Sequence, residues 1–230
     1  MDKKLKTEKK TPLKGHWLWG LLVLCILLIV DLLTKVFAQV YFDQMGNASI
    51  TLIPDVLILT YAENPGVAFS GAADAAPLIK IGIVIGTALI MVGASFVYFK
   101  IDKRRTFVRW CLVLVVAGGV GNLIDRVLFR MWAEDGGGVR DMVYIDFSVW
   151  VEQLFHVDTN LFYFGVCNFA DFFIVGGAIA LVLAMLFFDT DAFFPTGKYK
   201  ELAKEAAEKE VAKKAARDAA KAAEVEGRDA

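Results

Sequence analysis

The stretch Trp17–Ala38 reads WLWGLLVLCILLIVDLLTKVFA and decides the fold. About 20 mainly apolar residues are enough for a helix to cross the hydrocarbon core of a bilayer. Trp17 and Trp19 open the run, where interfacial aromatic anchors are expected. A cleaved signal peptide is disfavoured, because the run is too long and lacks a small-x-small cleavage site at its end. The stretch therefore predicts a membrane-spanning helix.

Three further apolar runs lie along the 230-residue chain. The composition agrees with a membrane protein: 57% of residues are hydrophobic, 22% are charged, and the mean hydropathy is +0.53. These values exclude a disordered chain, a nucleic-acid-binding tail protein and a disulfide-stapled mini-domain. We predict four spanning helices, at about 17–38, 77–99, 107–124 and 171–188.

The basic residues alternate along the chain in a way that predicts orientation. Segment 1–16 carries six Lys or Arg, the link 100–109 carries five and the tail from 189 carries nine. Segment 39–76 carries none, and 126–170 carries three in 45 residues. Because cytoplasmic loops are rich in Lys and Arg, we expect both termini and the link in the cytoplasm and the two poor segments outside.

The predicted organisation has three parts. A basic cytoplasmic N-terminus (1–16) precedes a four-helix membrane domain (17–188). The charged tail, 189–230, is rich in Ala, Lys and Glu, which favours a solvated cytoplasmic helix.

The outer segments contain short elements. Ser49–Tyr61 is β-branched and leucine-rich, with Pro54 interrupting it, and Val143–Phe147 is a second strand candidate. Val149–Val157 is a candidate amphipathic piece at the interface. We predict a mainly α membrane protein with four transmembrane helices, a small extracytoplasmic sheet and a short interfacial helix.

Polar side chains occur where lipid is expected, and they gather near one leaflet. Charges in spanning segments are costly and usually face a protein interior or a water-filled cavity. The spacings i, i+3 and i+4 put several of them on shared helix faces. The residues are Asp31 and Lys35 in the first helix, Asn122, Asp125 and Arg126 in the third, Asn168 and Asp171 at the start of the fourth, and Asn64 in the outer loop.

This set of side chains favours one kind of chemistry. The two histidines are too few for a usual zinc site and neither lies near a suitable serine, so we expect no metal and no cofactor. Cys167 lacks a base partner unless His156 reaches it. Carboxylates are abundant, and two that face each other can share a proton. One can then deprotonate water while the other polarises an amide carbonyl.

Three aspartates are the main candidates for such a pair. Asp125 adjoins Arg126, which favours a permanently ionised, structural carboxylate. Asp146 lies in an apolar strand, where desolvation should raise its pKa, whereas Asp171 begins a helix whose dipole favours the ionised form. The residues rank Asp146 with Asp171 only modestly above Asp125 with Asp171.

Five motifs in this order match a known family. They are Asp31–Lys35, Glu63–Ser70, Gly118–Arg126, Val143–Phe147 and Asn168–Asp171. On these motifs the chain resembles lipoprotein signal peptidase (signal peptidase II), a bacterial inner-membrane aspartic endopeptidase.

The resemblance covers about residues 17–188 and implies four spanning helices, an outer β-cradle and a short interfacial helix. By motif position it implies Asp146 and Asp171 as the catalytic dyad. It assigns the other polar residues to substrate orientation or dyad support (Asn64, Asn122, Arg126 and Asn168) and to supporting polar positions (Asp31, Lys35 and Asp125).

The resemblance also implies the substrate and its location. The substrate would be a prolipoprotein with a diacylglyceryl-modified cysteine, cut just before that cysteine. The enzyme would lie in the inner membrane with its site at the periplasmic side. Membrane lipid is an expected partner, nucleic acid is not, and a monomer is expected. A small transporter and a four-helix scaffold are the competing hypotheses.

Three regions depart from the family pattern. The stretch between Arg126 and Asp146 looks long and contains Gly136–Gly138, which is either a hinge for a lid or a plain flexible loop. The stretch from Asp146 to Asn168 also looks extended, and the tail has no expected counterpart.

Overall fold

The computed structural model describes residues 16–46, 48–66, 74–101, 105–133, 137–156 and 162–188, with ten positions between 201 and 216. Some of the predictions concern residues outside this set: 1–15, 67–70 of the second motif, Gly136, Val157 and most of the tail. Within the described residues the order is α1 (His16–Gln44), β1 (Ile50–Ile53), β2 (Leu57–Asn64), α2 (Pro77–Lys100), α3 (Thr106–Leu128), β3 (Val139–Asp146), α4 (Ser148–Phe155), β4 (Tyr163–Cys167) and α5 (Phe169–Leu183).

Among the described helices, four are long and apolar enough to cross a membrane. They are Trp17–Gln44, Pro77–Lys100, Thr106–Leu128 and Phe169–Phe187, the last continuing from α5 through a π-helical turn. α1 runs six residues beyond its predicted end at Ala38, because Phe42 packs beneath the sheet. Together with the antiparallel sheet, these helices confirm the predicted fold class.

α3 is the central helix of the membrane part. In its most apolar window 61% of the residues are buried, against 11–17% in the other three spanning helices. Two glycines let other elements approach its backbone: a Cβ on Gly118 would lie 2.2 Å from the carbonyl oxygen of Ala170, and one on Gly121 would lie 2.5 Å from Asp31 Oδ2. Polar groups on α1 and at the start of α5 therefore meet α3 directly.

The described strands form one antiparallel sheet in the order β1-β2-β3-β4. The predicted interruption at Pro54 is the turn between β1 and β2. β3 begins at Val139, four residues before the strand predicted at 143–147. In the register of β2 and β3, Ala62 lies opposite Asp141, so the earlier start brings Asp141 into the sheet.

The sheet rests on the C-terminal end of α1. Ala38, Phe42 and Met142 form a small buried cluster. Leu59 and Val143 pack against this cluster from the sheet. Apolar burial here holds the middle of β2 and β3 against α1, next to the polar residues of the same helix.

α4 and the tail complete the described chain. α4, Ser148–Phe155, overlaps the predicted interfacial piece 149–157 and begins one residue before it. The chain forms two compact units, Met1–Val182 and Leu183–Ala230. In the second unit the described positions between 201 and 216 are helical, and Lys209 lies 3.5 Å from Glu205 at i, i+4 spacing.

Candidate active site

A buried charge cluster joins α1 to α3. The Lys35 ammonium group lies 2.8 Å from Asp31 Oδ2 and 3.4 Å from Asp125 Oδ2, and it donates a 3.0 Å hydrogen bond to Asn122 Oδ1. The three charged residues are completely buried. A buried cation needs such partners, because an unpaired charge in a low-dielectric interior is strongly unfavourable. The cluster sets the relative position of the two helices beside the site.

Arg140, which the sequence analysis did not single out, attaches the start of β3 to this cluster. Its Nη2 lies 2.8 Å from Asp125 Oδ1, and its backbone N–H donates to Asp125 Oδ2 at 3.1 Å. Its guanidinium group also lies over the Phe129 ring, 4.9 Å from the centroid. Asp125 is therefore a structural carboxylate held by two cations, as its sequence neighbourhood suggested.

Asn168 and Asp171 form a reciprocal cap at the start of α5. The Asp171 backbone N–H donates to Asn168 Oδ1 at 3.1 Å, and the Asn168 backbone N–H donates to Asp171 Oδ2 at 2.9 Å. The Ala170 N–H donates to Asp31 Oδ1 at 2.9 Å. This is the geometry of a capping box, and it satisfies N–H groups that a helix start leaves without partners. The motif Asn-x-x-Asp thereby fixes the Asp171 carboxylate.

Asp141 is the carboxylate that faces this helix start. The Asn168 side-chain amide donates to Asp141 Oδ1 at 2.6 Å and to Asn122 Oδ1 at 3.1 Å, while Asn122 donates to Asp171 Oδ1 at 2.8 Å. Asn64 donates to the other oxygen of Asp141 at 3.3 Å. Asn168 therefore contacts both Asp141 and Asp171, which places the two carboxylates side by side.

The pKa of Asp141 is raised to about 7. Burial is the largest cause, and the neighbouring charge of Asp171 is the second; the hydrogen bonds from Asn168 and Asn64 oppose them. Two carboxylates that share a site cannot both ionise easily, so the pair holds a proton near neutral pH. This is the behaviour that acid–base catalysis by a carboxylate pair requires.

Asp146 is not part of this arrangement. It is five residues further along β3, roughly 16 Å at the rise of an extended strand, and its partners among the described residues are Ser148 and Tyr144 rather than Asp171. Its carboxylate accepts hydrogen bonds from the backbone N–H and hydroxyl of Ser148 and from Tyr144. The prediction that desolvation raises its pKa is wrong. Burial acts in that direction, but these hydrogen bonds outweigh it and the pKa is lowered.

Arg126 lies among the acidic groups, and no carboxylate of the described residues forms a salt bridge with it. It interacts electrostatically with Asp171, Asp141 and Asp125, in decreasing order. Its Nε is buried and has no hydrogen-bond partner among the described residues. Because a buried donor that is left unpaired is costly, Arg126 is available to a carbonyl or other acceptor that enters the site.

Cys167 lies beside the pair but is not suited to nucleophilic attack. Its thiol donates to the Val143 carbonyl oxygen at 3.2 Å. Burial, and then the charges of Asp171 and Asp141, raise its pKa to about 12, so the reactive thiolate is scarce at neutral pH. Within the described residues, no three His, Cys, Asp or Glu side chains are arranged to hold a metal ion.

The described part of the glycine run is packed. Gly138 is buried where β3 begins, and a Cβ there would lie 1.9 Å from the carbonyl oxygen of Asn64. The Gly137 N–H donates to the Phe129 carbonyl oxygen at 2.9 Å. At these two positions glycine permits close packing of β3 on β2; whether the run acts as a hinge or as a plain loop stays a prediction.

The residues brought together differ from the predicted set in two members. Four of the predicted residues converge on one point: Asn64, Asn122, Asn168 and Asp171. The buried charge cluster of Asp31, Lys35 and Asp125 lies next to them, and Arg126 interacts with the acidic groups. Asp141 replaces Asp146, and Arg140 joins the supporting cluster. The signal for Asp141 was weak: it would have been found only by extending the strand back through Val139.

Comparison with known proteins identifies the family. The family model for signal peptidase (SPase) II matches residues 23–187. The lipoprotein signal peptidase of Pelotomaculum thermopropionicum is 32% identical over 165 residues, 72% of this chain and 90% of that protein. The lipoprotein signal peptidase of Chlorobaculum tepidum is 35% identical over 155 residues, 67% of this chain and 86% of that protein.

A solved structure described as a bacterial membrane enzyme superposes with a TM-score of 0.54 at 25% identity, covering 75% of this chain and 89% of that one. The family model matches most of the chain, and the solved structure has a similar fold. Both findings agree on the family. The chain belongs to the signal peptidase II family, the aspartic-type bacterial membrane peptidases that remove signal peptides from prolipoproteins.

Proposed function

We propose that Asp141 and Asp171 are the catalytic pair of this peptidase and that they hydrolyse the bond just before a diacylglyceryl-modified cysteine. The observation that supports this most directly is the position of Asn168. The Asn168 backbone N–H donates to Asp171, and its side-chain amide donates to Asp141. One residue therefore holds both carboxylates at the start of α5. Asp171 remains from the pair predicted by sequence, and Asp141 takes the place of Asp146.

The pair can carry out amide hydrolysis with water as the nucleophile. Asp171, whose two oxygens accept hydrogen bonds from Asn122 and from the Asn168 backbone, takes a proton from the water. Asp141, protonated, donates to the scissile carbonyl oxygen as the water oxygen bonds to the carbonyl carbon. The carbon–nitrogen bond then breaks: the leaving amine receives the proton held by Asp171, and the proton on the former carbonyl oxygen returns to Asp141 as the C=O bond forms again. The shared proton belongs to the pair, as coupled titration requires.

Arg126 and Asn64 are the residues that we propose contact the substrate. The unpaired, buried Nε of Arg126 offers a donor to a peptide carbonyl beside the pair. Asn64 already donates to Asp141 and accepts from the Gly66 N–H, so it links the β2 end to the reacting groups. Asn122 and Asn168 support the pair, and Asp31, Lys35 and Asp125 hold the helices that carry it.

The membrane location that we propose matches such a substrate. A diacylglyceryl group gains ~0.8 kcal/mol from each CH2 kept in lipid, so extracting it into water is very unfavourable. The carboxylates lie at the ends of α3 and α5 next to the outer sheet, where lipid-held substrate and water can both reach them. With the alternation of Lys and Arg, we propose a monomer in the inner membrane with both termini in the cytoplasm and the site on the periplasmic side.

The experiment compares two forms of one precursor. The purified protein in phospholipid nanodiscs is given a prolipoprotein with its cysteine diacylglyceryl-modified and the same chain unmodified. We expect at least about ten-fold faster cleavage of the modified form, because the acyl chains place the scissile bond at the site. Mass spectrometry of the product should give the cut just before the cysteine. Equal rates on both forms, or a cut elsewhere, would contradict the proposal; Asp171→Asn is the inactive control.

A further inference from the structure

An apolar cavity lies at the end of the helix bundle away from the catalytic pair. Its volume is about 260 Å³, and nearly all of its surface is apolar. Residues of α1, α2 and α3 line it, among them Gly20, Leu24, Ser95, Tyr98 and Leu112. From Gly20 to Asp31 is about 16 Å along α1, at 1.5 Å per residue, so the cavity is well separated from the site.

A buried arginine contacts one of the residues that line this cavity. The guanidinium carbon of Arg109 lies 4.2 Å from the centroid of the Tyr98 ring, which lines the cavity. Arg109 is only 7% exposed. Among the described residues, no carboxylate pairs with it. The cation–π contact offsets part of the cost of burial, yet a buried guanidinium group still favours an anionic partner.

The surrounding segment adds positive charge. Lys100 lies over the Phe96 ring at 5.4 Å, and the link 100–109 contains five Lys or Arg. Arg105 is buried immediately before α3, one turn before Arg109, and its carbonyl oxygen accepts the Arg109 N–H at 3.1 Å. Basic pockets between spanning helices are a recurring way to hold the headgroups of anionic lipids.

We propose that this cavity binds one anionic phospholipid, with an acyl chain in the apolar space and the phosphate on Arg109. The apolar lining and the cation in contact with it match the two parts of such a molecule. A water-soluble anion would use the cation but leave the apolar volume empty, and a lipid whose headgroup has no net charge would fill the volume without neutralising Arg109. The proposed orientation puts this lipid in the cytoplasmic leaflet, opposite the leaflet of the catalytic pair.

The test measures lipid retention, which does not depend on peptidase activity. The purified protein is exchanged into detergent with graded dioleoyl phosphatidylglycerol, or with dioleoyl phosphatidylcholine or inorganic phosphate, and native mass spectrometry counts bound molecules. We expect one phosphatidylglycerol to bind at least about ten-fold more tightly than phosphatidylcholine, since only the former keeps a net negative headgroup for Arg109. Inorganic phosphate should not compete at millimolar concentration.

Two variants and two matched controls locate the site. Arg109→Gln removes the cation, and Leu24→Trp fills the apolar space; each should weaken phosphatidylglycerol binding about ten-fold. Lys80→Gln removes a cation at the opposite end of α2, and Leu89→Trp adds bulk to an exposed position of α2; neither should change binding.

Cleavage of the lipidated precursor and the thermal midpoint in phosphatidylcholine check that each variant is folded. Unchanged retention in folded Arg109→Gln, equal retention of both lipids by the natural protein, or displacement by phosphate alone would overturn the proposal. If a variant fails to fold, the comparison of the two lipids on the unaltered protein still decides.

Discussion

The two ends of β3 carry the same residue type in opposite environments. At the start of the strand, Asp141 is buried between the ends of α3 and α5, and its pKa is raised to about 7. Near the end, Asp146 is half-exposed beside α4, and its pKa is lowered by hydrogen bonds from Ser148 and Tyr144 that outweigh burial. The comparison shows that a place in the strand does not by itself set the proton affinity of an aspartate; burial and a neighbouring carboxylate do.

The difference follows from the partners that each carboxylate meets. Both aspartates accept two or more hydrogen bonds, so the supply of donors does not distinguish them. Asp141 also faces the charge of Asp171, which disfavours a second negative charge. Asp146 has no such neighbour among its described interactions and stays ionised. Only the start of β3 therefore offers a proton for catalysis near neutral pH.

The largest expected effect comes from exchanging one carboxylate at a time. Asp141→Asn should lower the cleavage rate by about 10³-fold or more, because general acid–base catalysis by a placed group contributes about 10²–10⁴-fold and the pair acts as a unit. Asp146→Asn, the matched change on the same strand, should leave the rate within about three-fold, as expected of a residue outside the reacting groups. Initial rates on lipidated precursor measure both.

The reverse result would restore the pair predicted by sequence. If Asp146→Asn removes activity while Asp141→Asn retains it, Asp141 is a structural residue and the comparison of the two strand ends fails. Circular dichroism and gel filtration of both variants show whether a lost rate reflects lost folding.

The second effect is a decline in rate above neutral pH. The proposed mechanism needs the proton held at Asp141, whose pKa is raised to about 7. Above that value the protonated fraction falls about ten-fold per pH unit, and kcat/KM should fall with it. The Asp146→Asn variant should show the same profile, because Asp146 is ionised throughout this range. Rates between pH 5 and 10 in nanodiscs test this; a constant rate from pH 7 to 10 would contradict it.

The same raised pKa predicts an effect on folding stability. The folded state holds the Asp141 proton more tightly than the unfolded state, so the contribution is full below the unfolded value of 3.8 and is lost as pH rises through about 7. Asp141→Asn removes this titration. Its thermal midpoint should therefore exceed that of the natural protein at pH 8 by more than it does at pH 5.

The smallest expected effects come from replacing the residues that donate hydrogen bonds to the two carboxylates. Asn168→Ala removes the α5 cap and the donor to Asp141. It should lower the rate about 10–100-fold through misplacement of the pair and cost about 1–2 kcal/mol of stability. Ser148→Ala removes a donor to Asp146 at the other end of β3 and should change the rate less than about two-fold. Equal losses in the two variants would show that Asn168 has no special role.

Much of the fold and part of the site could be predicted from local pattern. Hydropathy located the four spanning helices, since every backbone group in lipid must bond within its own helix. Helical spacing put Asn122, Asp125 and Arg126 together on α3. The start of β3 could not be located in this way, because Arg140 and Asp141 interrupt the apolar β pattern. A buried charge in a strand is tolerated only when partners from elsewhere meet it, and these come from α3, α5 and β2.

The amino-acid sequence by itself determined the four apolar helices, the family motifs and the helix positions of the polar groups, because these depend on hydrophobic length and on spacing along a helix. Tertiary structure alone decided which aspartate faces Asp171. The carboxylates of Asp141 and Asp146 are chemically identical and only five residues apart. The desolvation and the neighbouring charge that separate their proton affinities come from residues distant in the chain, which only the packing of α5 and α3 against β3 brings into contact.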